Sequence, residues 1–216
     1  MSTNLSTLRS KVRRYIDEST ADRWSNSDLD AFINEAVVFV QGQIEQRNKE
    51  WFLRVETFTA SAGSYQAALP SDIWGNHLRA MYVYPSATVA TGVGYKVEPA
   101  SIEWVLDNAS VSGDTGFGYA LLAGYLLWSP MLSSNSTFRY VYSMKETQLT
   151  GDNSNLGRIA DAHADIVAMY AAIIAYETIG ADTQWLNVRL ERALRQMSTD
   201  VQSYDPLTIP QVAVDD

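Results

Sequence analysis

The chain has no cysteine among its 216 residues. That excludes a disulfide scaffold, a thiolate metal site and a cysteine nucleophile. Histidine is scarce as well, with only His77 and His163 present. No apolar run approaches the roughly 18 residues that a membrane span needs. The opening stretch, 1–14, is polar and basic with no apolar h-region, which is not the pattern of a secretory signal. The expectation is a soluble protein made in a cytoplasm and acting without a membrane. Charged residues are few, at 19%, against 46% hydrophobic. Those are globular values, and a compact chain of this size buries about 70% of its unfolded surface without staples.

The net charge is negative and unevenly spread. The net value is −9, yet residues 1–54 carry eight basic and eight acidic side chains. The whole deficit therefore lies in the remaining 162 residues. Tight, salt-sensitive binding to nucleic acid needs clustered Lys and Arg facing phosphates. Here the one cluster is Arg9, Lys11, Arg13 and Arg14. Helical geometry puts Arg9 and Arg13 on one side and points Lys11 elsewhere, so the patch is small. Sequence-specific DNA binding is disfavoured.

Hydrophobic spacing predicts a helix over 5–19, with Leu5, Leu8, Val12, Tyr15 and Ile16 on one stripe. A second helix has the clearest start in the sequence. Ser25 is its N-cap, Asp28 its third residue, and Trp24 and Leu29 are placed for a hydrophobic staple. It runs to about Arg47, and the short link 20–24 implies an αα-hairpin. Between Phe52 and Met144 the pattern changes to aromatic and β-branched residues alternating with polar ones. Strands are expected over 52–60, 66–69, 78–84, 95–98, 120–122, 125–128 and 137–142. Ala123-Gly124 suggests a tight hairpin, and Ser101 caps a short helix over 101–106. This part reads as a small twisted sheet or barrel. Helical spacing returns over 156–179, stopping at Gly180, and again after a cap at Asp182 or Thr183. The last stretch, with Pro206 and Pro210, reads as an extended tail.

The fold class is therefore α+β. It is mainly an α-helical bundle, with two N-terminal and two C-terminal helices, a β-rich insertion and an extended C-terminal tail. The expected divisions are 1–50 for the helical hairpin, 51–150 for the insertion, 151–203 for the closing helices and 204–216 for the tail. A bundle would bring the ends of the insertion together, as inserted domains require.

Catalytic patterns are not found. His163 sits in an Asp-Ala-His-Ala-Asp run, but residues two apart on a helix point about 200° apart. Neither Asp161 nor Asp165 then faces the same site, and no Glu-x-x-His pair exists for a bundle di-metal site. His163 reads as a core or interface histidine, and His77 as a loop residue. Gly-x-Ser-x-Gly is absent, and no serine is placed against either histidine. The glycines Gly92 and Gly94, and Gly113, Gly116 and Gly118, complete no phosphate-binding motif and read as turn and bulge residues. Glu56, Glu98, Glu103 and Glu146 lie in or near the β-rich part, where a distant carboxylate pair could do glycosidase chemistry. No neighbouring residue marks them out from solvated charges. Catalytic, cofactor and metal residues are accordingly not assigned.

Six Trp and twelve Tyr suggest extensive contact surface as well as core, because these side chains add large area at modest entropy cost. In the tail, Tyr204, Leu207, Ile209, Pro210 and Val212 are apolar residues on a segment too short to fold alone. Burial against a partner is their simplest explanation. With Arg9 and Arg13 they form the candidate partner-binding set.

Several stretches together resemble the head-to-tail adaptor, or connector, proteins of tailed bacteriophages. They begin with the hairpin, from Leu8-Arg9-Ser10-Lys11-Val12-Arg13-Arg14-Tyr15-Ile16 through Arg23-Trp24-Ser25 to Asp28-Leu29-Asp30-Ala31-Phe32-Ile33-Asn34-Glu35-Ala36. Leu69-Pro70-Ser71-Asp72-Ile73-Trp74 and Leu78-Arg79-Ala80-Met81-Tyr82-Val83-Tyr84 follow. Tyr125-Leu126-Leu127-Trp128-Ser129-Pro130 and Phe138-Arg139-Tyr140-Val141-Tyr142 complete the set.

The resemblance implies a non-enzymatic structural subunit assembled as a ring, twelvefold like the portal. The ring would sit at the head–tail interface of the virion after assembly in the host bacterial cytoplasm. Its partners would be other copies of itself, the phage portal protein, and tail or nozzle proteins, with DNA passing non-specifically through the lumen. Two rivals stand beside this expectation. One is an adaptor-like protein that degrades peptidoglycan, and the other a DNA-binding tail-completion factor.

Overall fold

The computed structural model describes residues 3–18, 23–84, 94–111 and 116–203. The chain runs α1 (Leu5–Tyr15), α2 (Asn26–Arg47), β1 (Leu53–Ala60), β2 (Gln66–Ala68), β3 (Ile73–Tyr84), β4 (Tyr95–Lys96) and β5 (Glu98–Pro99). It continues with α3 (Ile102–Asp107), β6 (Gly118–Leu122), β7 (Tyr125–Ser129), β8 (Ser136–Met144), α4 (Ala164–Thr178) and α5 (Gln184–Gln202). Two compact units result: Met1–Trp51 with Glu146–Asp216, and Phe52–Lys145.

In the helical unit, each early helix starts on a side-chain cap. Asn4 Oδ1 accepts from the Thr7 N–H at 2.9 Å, and Leu5, Leu8 and Val12 then turn inward. Ser25 Oγ accepts from the Asp28 N–H at 3.2 Å, while Asp28 Oδ2 accepts from the Ser25 N–H at 2.9 Å. This reciprocal pair satisfies two of the helix's orphan donors. Trp24 packs edge-on against Phe32, centroids 5.3 Å apart, one turn beyond the expected Leu29.

Helix α4 is apolar nearly all round and packs against α1, α2 and α5. Ala164, Ala168, Ala171, Ala172 and Ala175 are fully buried on it, and such small side chains let neighbouring backbones come close. Phe39 of α2 stacks on Tyr170 of α4. Gly180, with φ +68°, ends this run as expected, and α5 then buries Leu186, Leu190, Met197 and Val201.

The expected helix start at Leu156 is eight residues too early. Residues before Asp161 form a loop, and a 3-10 turn over Asp161–His163 leads into α4. The cause is long-range. Glu146 is buried, and its Oε1 accepts the Arg158 N–H at 2.7 Å. Gly157 adopts φ +62°, and a Cβ there would collide with the Glu146 carboxylate. Local spacing favours helix, but the buried carboxylate holds the backbone in another shape.

The second unit contains two four-stranded sheets, ordered β1-β8-β3-β4 and β2-β7-β6-β5. This differs from the single sheet or barrel expected. All pairings are antiparallel except β5 with β6. Ala123 and Gly124 take φ of +50° and +86°, the two positive values that a tight two-residue hairpin requires. Side chains from both sheets share one aromatic core, in which Phe58 stacks on Phe138 and Trp128 lies 4.7 Å from Phe138. Trp128, Phe138 and Tyr142 are fully buried.

Candidate interaction surfaces

Three of the four basic side chains of the first helix, Arg9, Lys11 and Arg13, pair within their own unit, while Arg14 is exposed. Arg9 donates from Nε and Nη2 to the two Asp30 oxygens at 2.5 and 2.7 Å, and from Nη1 to Asp152 at 2.5 Å. The Asp30 bond, more than any other contact, raises its already high pKa, so the guanidinium stays charged. Arg13 reaches Glu18 at 3.2 Å, the Trp24 carbonyl at 3.0 Å and Asn26 at 3.0 Å. Glu18 in turn accepts the Trp24 N–H at 3.1 Å. Lys11 pairs with Asp165 at 2.6 Å. Arg9 and Arg13 are thus held against their own unit, fastening α1 to α2 and to the segment before α4. The remaining candidate residues, Tyr204, Leu207, Ile209, Pro210 and Val212, lie outside the described residues.

The Asp-Ala-His-Ala-Asp run is split three ways. Asp161 accepts the Thr3 N–H, Asp165 holds Lys11, and His163 is 4% exposed. Burial depresses the His163 pKa, against a smaller upward pull from Asp200. Among the described residues no group of three or more His, Asp or Glu is placed to hold a metal. His77 is exposed and lies within β3, at the irregular pairing between Ile73 and Leu78, rather than in a loop.

The four glutamates have separate surroundings. Glu56 pairs with Arg54 at 2.7 Å and accepts from the Tyr140 hydroxyl at 3.2 Å. Burial and that carboxylate push the Tyr140 pKa up to about 12. Glu98 pairs with Lys96 at 3.0 Å, and Glu103 stands exposed in the first turn of α3. Glu146 belongs to the helical unit, where it organises the loop before α4. Burial raises its pKa, opposed by backbone N–H donors from Arg158, Thr147 and Ile159. Of the glycines, Gly94, Gly116 and Gly118 are described, and a Cβ at Gly118 would meet the Trp104 ring. Gly92 and Gly113 lie outside the described residues.

What the arrangement offers instead is exposed apolar area on otherwise polar elements. In the second unit Tyr65, Trp104, Leu122 and Tyr125 are 40% to 49% exposed. In the helical unit Val38 on α2 and Trp185 and Val188 on α5 are 41%, 45% and 45% exposed. Residue composition suggested such surface, but only the fold shows which aromatics carry it. No described helix is long and apolar enough to cross a membrane.

Comparison with known proteins finds one family model, described as SU10 adaptor protein, which matches residues 3–210. No curated protein matches the chain. Among solved structures, a chain from the neck of an empty GTA particle computed with C6 symmetry shares 14% identity, with 84% of this chain and 80% of that chain covered and a TM-score of 0.29.

Proposed function

Because the chain belongs to the SU10 adaptor protein family, as the resemblance to phage adaptors anticipated, we propose that it is a structural, non-catalytic head-to-tail adaptor subunit. Many copies, twelve if they follow the portal's symmetry, form a ring that joins the portal to the tail or nozzle proteins of a virion. DNA passes through the lumen unread. The family match across 3–210 carries this reading. The polar geometry supports it, since three of the four candidate carboxylates, Glu56, Glu98 and Glu146, are engaged by Arg54, Lys96, Tyr140 or backbone donors. The net charge of −9 suits a passage along which a polyanion slides without being held.

In this reading the helices form a bundle that makes the contacts between copies, and the β-rich unit faces the tail. Tyr204, Leu207, Ile209, Pro210 and Val212 attach the subunit to the portal. Arg9 and Arg13 serve partners indirectly, by fixing the shape of the hairpin surface. The test is co-sedimentation of the chain with portal rings. Full-length chain sediments with the rings, and a chain ending at Ser203 loses most of that binding. Unchanged binding by the shortened chain would remove the tail assignment, and no binding by the full chain would remove the adaptor reading.

A further inference from the structure

Helix α2 turns one stripe to solvent: Asp28, Ala31, Glu35, Val38 and Gly42, at helical spacing. The first four are exposed, and no Lys or Arg occurs on α2 before Arg47. Gly42 is unexpected there. It lies in the interior of a 22-residue helix, where glycine is unfavourable. Yet a Cβ at that position would meet nothing within 4 Å. Among the described residues no intramolecular neighbour needs the space.

Helix α5 turns out a stripe of the opposite character: Trp185, Val188, Arg192 and Arg195, all exposed. The spacings of the two stripes match when the helices run antiparallel. Seven residues separate Gly42 from Glu35, and seven separate Trp185 from Arg192, about 10 Å on each helix. With Trp185 over Gly42, Val188 meets Val38, Arg192 meets Glu35, and Arg195 lies beside Ala31 within reach of Asp28.

We propose that α5 of one copy docks antiparallel on α2 of the next, with Trp185 filling the notch at Gly42 and Arg192 pairing with Glu35. The occupant is a second copy because the complementary charges, apolar residues and spacing are both found on this chain. The two faces differ, so the contact is heterologous and each subunit offers one face to each neighbour, as a ring requires. This inference rests on the adaptor reading and names the contact between copies within it.

The test is charge reversal scored by assembly on portal rings, with thermal melting as the control for folding. Glu35→Arg and Arg192→Glu each raise the concentration for half-maximal assembly at least about tenfold, and the double variant returns to within about threefold of wild type. Equal midpoints for all four chains would overturn the interface while leaving the adaptor reading intact. A wild-type chain that never forms a multi-copy complex on the portal would overturn both.

A second variant does not depend on the reversals folding well. The chain has no native cysteine, so Val38→Cys combined with Val188→Cys reports on one contact alone. Oxidation of the portal-bound complex yields a ladder of cross-linked copies. Loss of the ladder in a complex of normal size would contradict the proposal.

Discussion

In the β-rich unit the core is built on aromatic side chains, with Phe52, Trp128, Phe138 and Tyr142 fully buried, while Trp104, Tyr65 and Tyr125 stay exposed. In the helical unit the described Trp, Tyr and Phe side chains are all half-buried or exposed, and the core is Leu, Ile, Val, Met and Ala. The difference follows from geometry. Two sheets facing each other leave about 10 Å between them, which aromatic rings fill. Helices meeting around the alanine-rich α4 come close enough to leave rings at the periphery. Aromatic rings therefore fill the core of one unit and lie at the margin of the other, where Trp185 stands exposed on α5.

The sharpest way to break this comparison is to disturb each core in its own manner. Trp128→Ala removes the centre of the aromatic cluster and is expected to cost about 3–5 kcal/mol, read as a lowered urea midpoint. A loss under about 1 kcal/mol would mean that the rings do not hold the unit together. In the helical unit the damaging change is the reverse, a gain in size. Ala172→Leu on α4 overpacks the site and costs about 1–3 kcal/mol, measured by thermal melting. If that variant were as stable as wild type, the close approach of helices around α4 would be disproved.

Smaller effects sharpen the role of polar groups. Ser25→Ala removes half of the reciprocal cap on α2 and should cost about 1 kcal/mol, visible as a small drop in the midpoint of helix loss by circular dichroism. The smallest effect concerns His163. Its pKa is lower folded than unfolded because burial disfavours the charged form. The unfolded chain therefore takes up the proton more readily, and the His163 contribution is present above about pH 6.5 and lost below it. Melting temperature measured from pH 7.5 to 5.5 should fall more for wild type than for His163→Gln. Parallel curves would show that His163 is not desolvated.

How much of this was legible in the sequence depends on range. The start of α2 at Ser25 was readable because its signals lie within four residues, and the Ala123-Gly124 turn likewise. His163, read as a core or interface residue, is buried, though in the 3-10 turn before α4 and not on a helix stripe. The start of α4 was misread because Leu156, Ile159 and Ala160 keep helical spacing, while the cause of the break, Glu146, lies twelve residues before the Arg158 it binds. The partners of Arg9 were equally hidden. Asp30 and Asp152 lie 21 and 143 positions away, so an arginine that looked available to a partner is engaged within its own unit. Trp185 and Gly42 carried a local signal that composition alone did not exploit, a large apolar residue and a glycine on polar helix faces.

The most direct test of the central claim is native mass spectrometry of the chain mixed with the portal ring of its own phage. The account predicts a discrete complex with many copies of this chain per portal, even if the chain alone is a monomer. A spectrum containing only free portal and free chain, at concentrations where assembly proceeds, would contradict it.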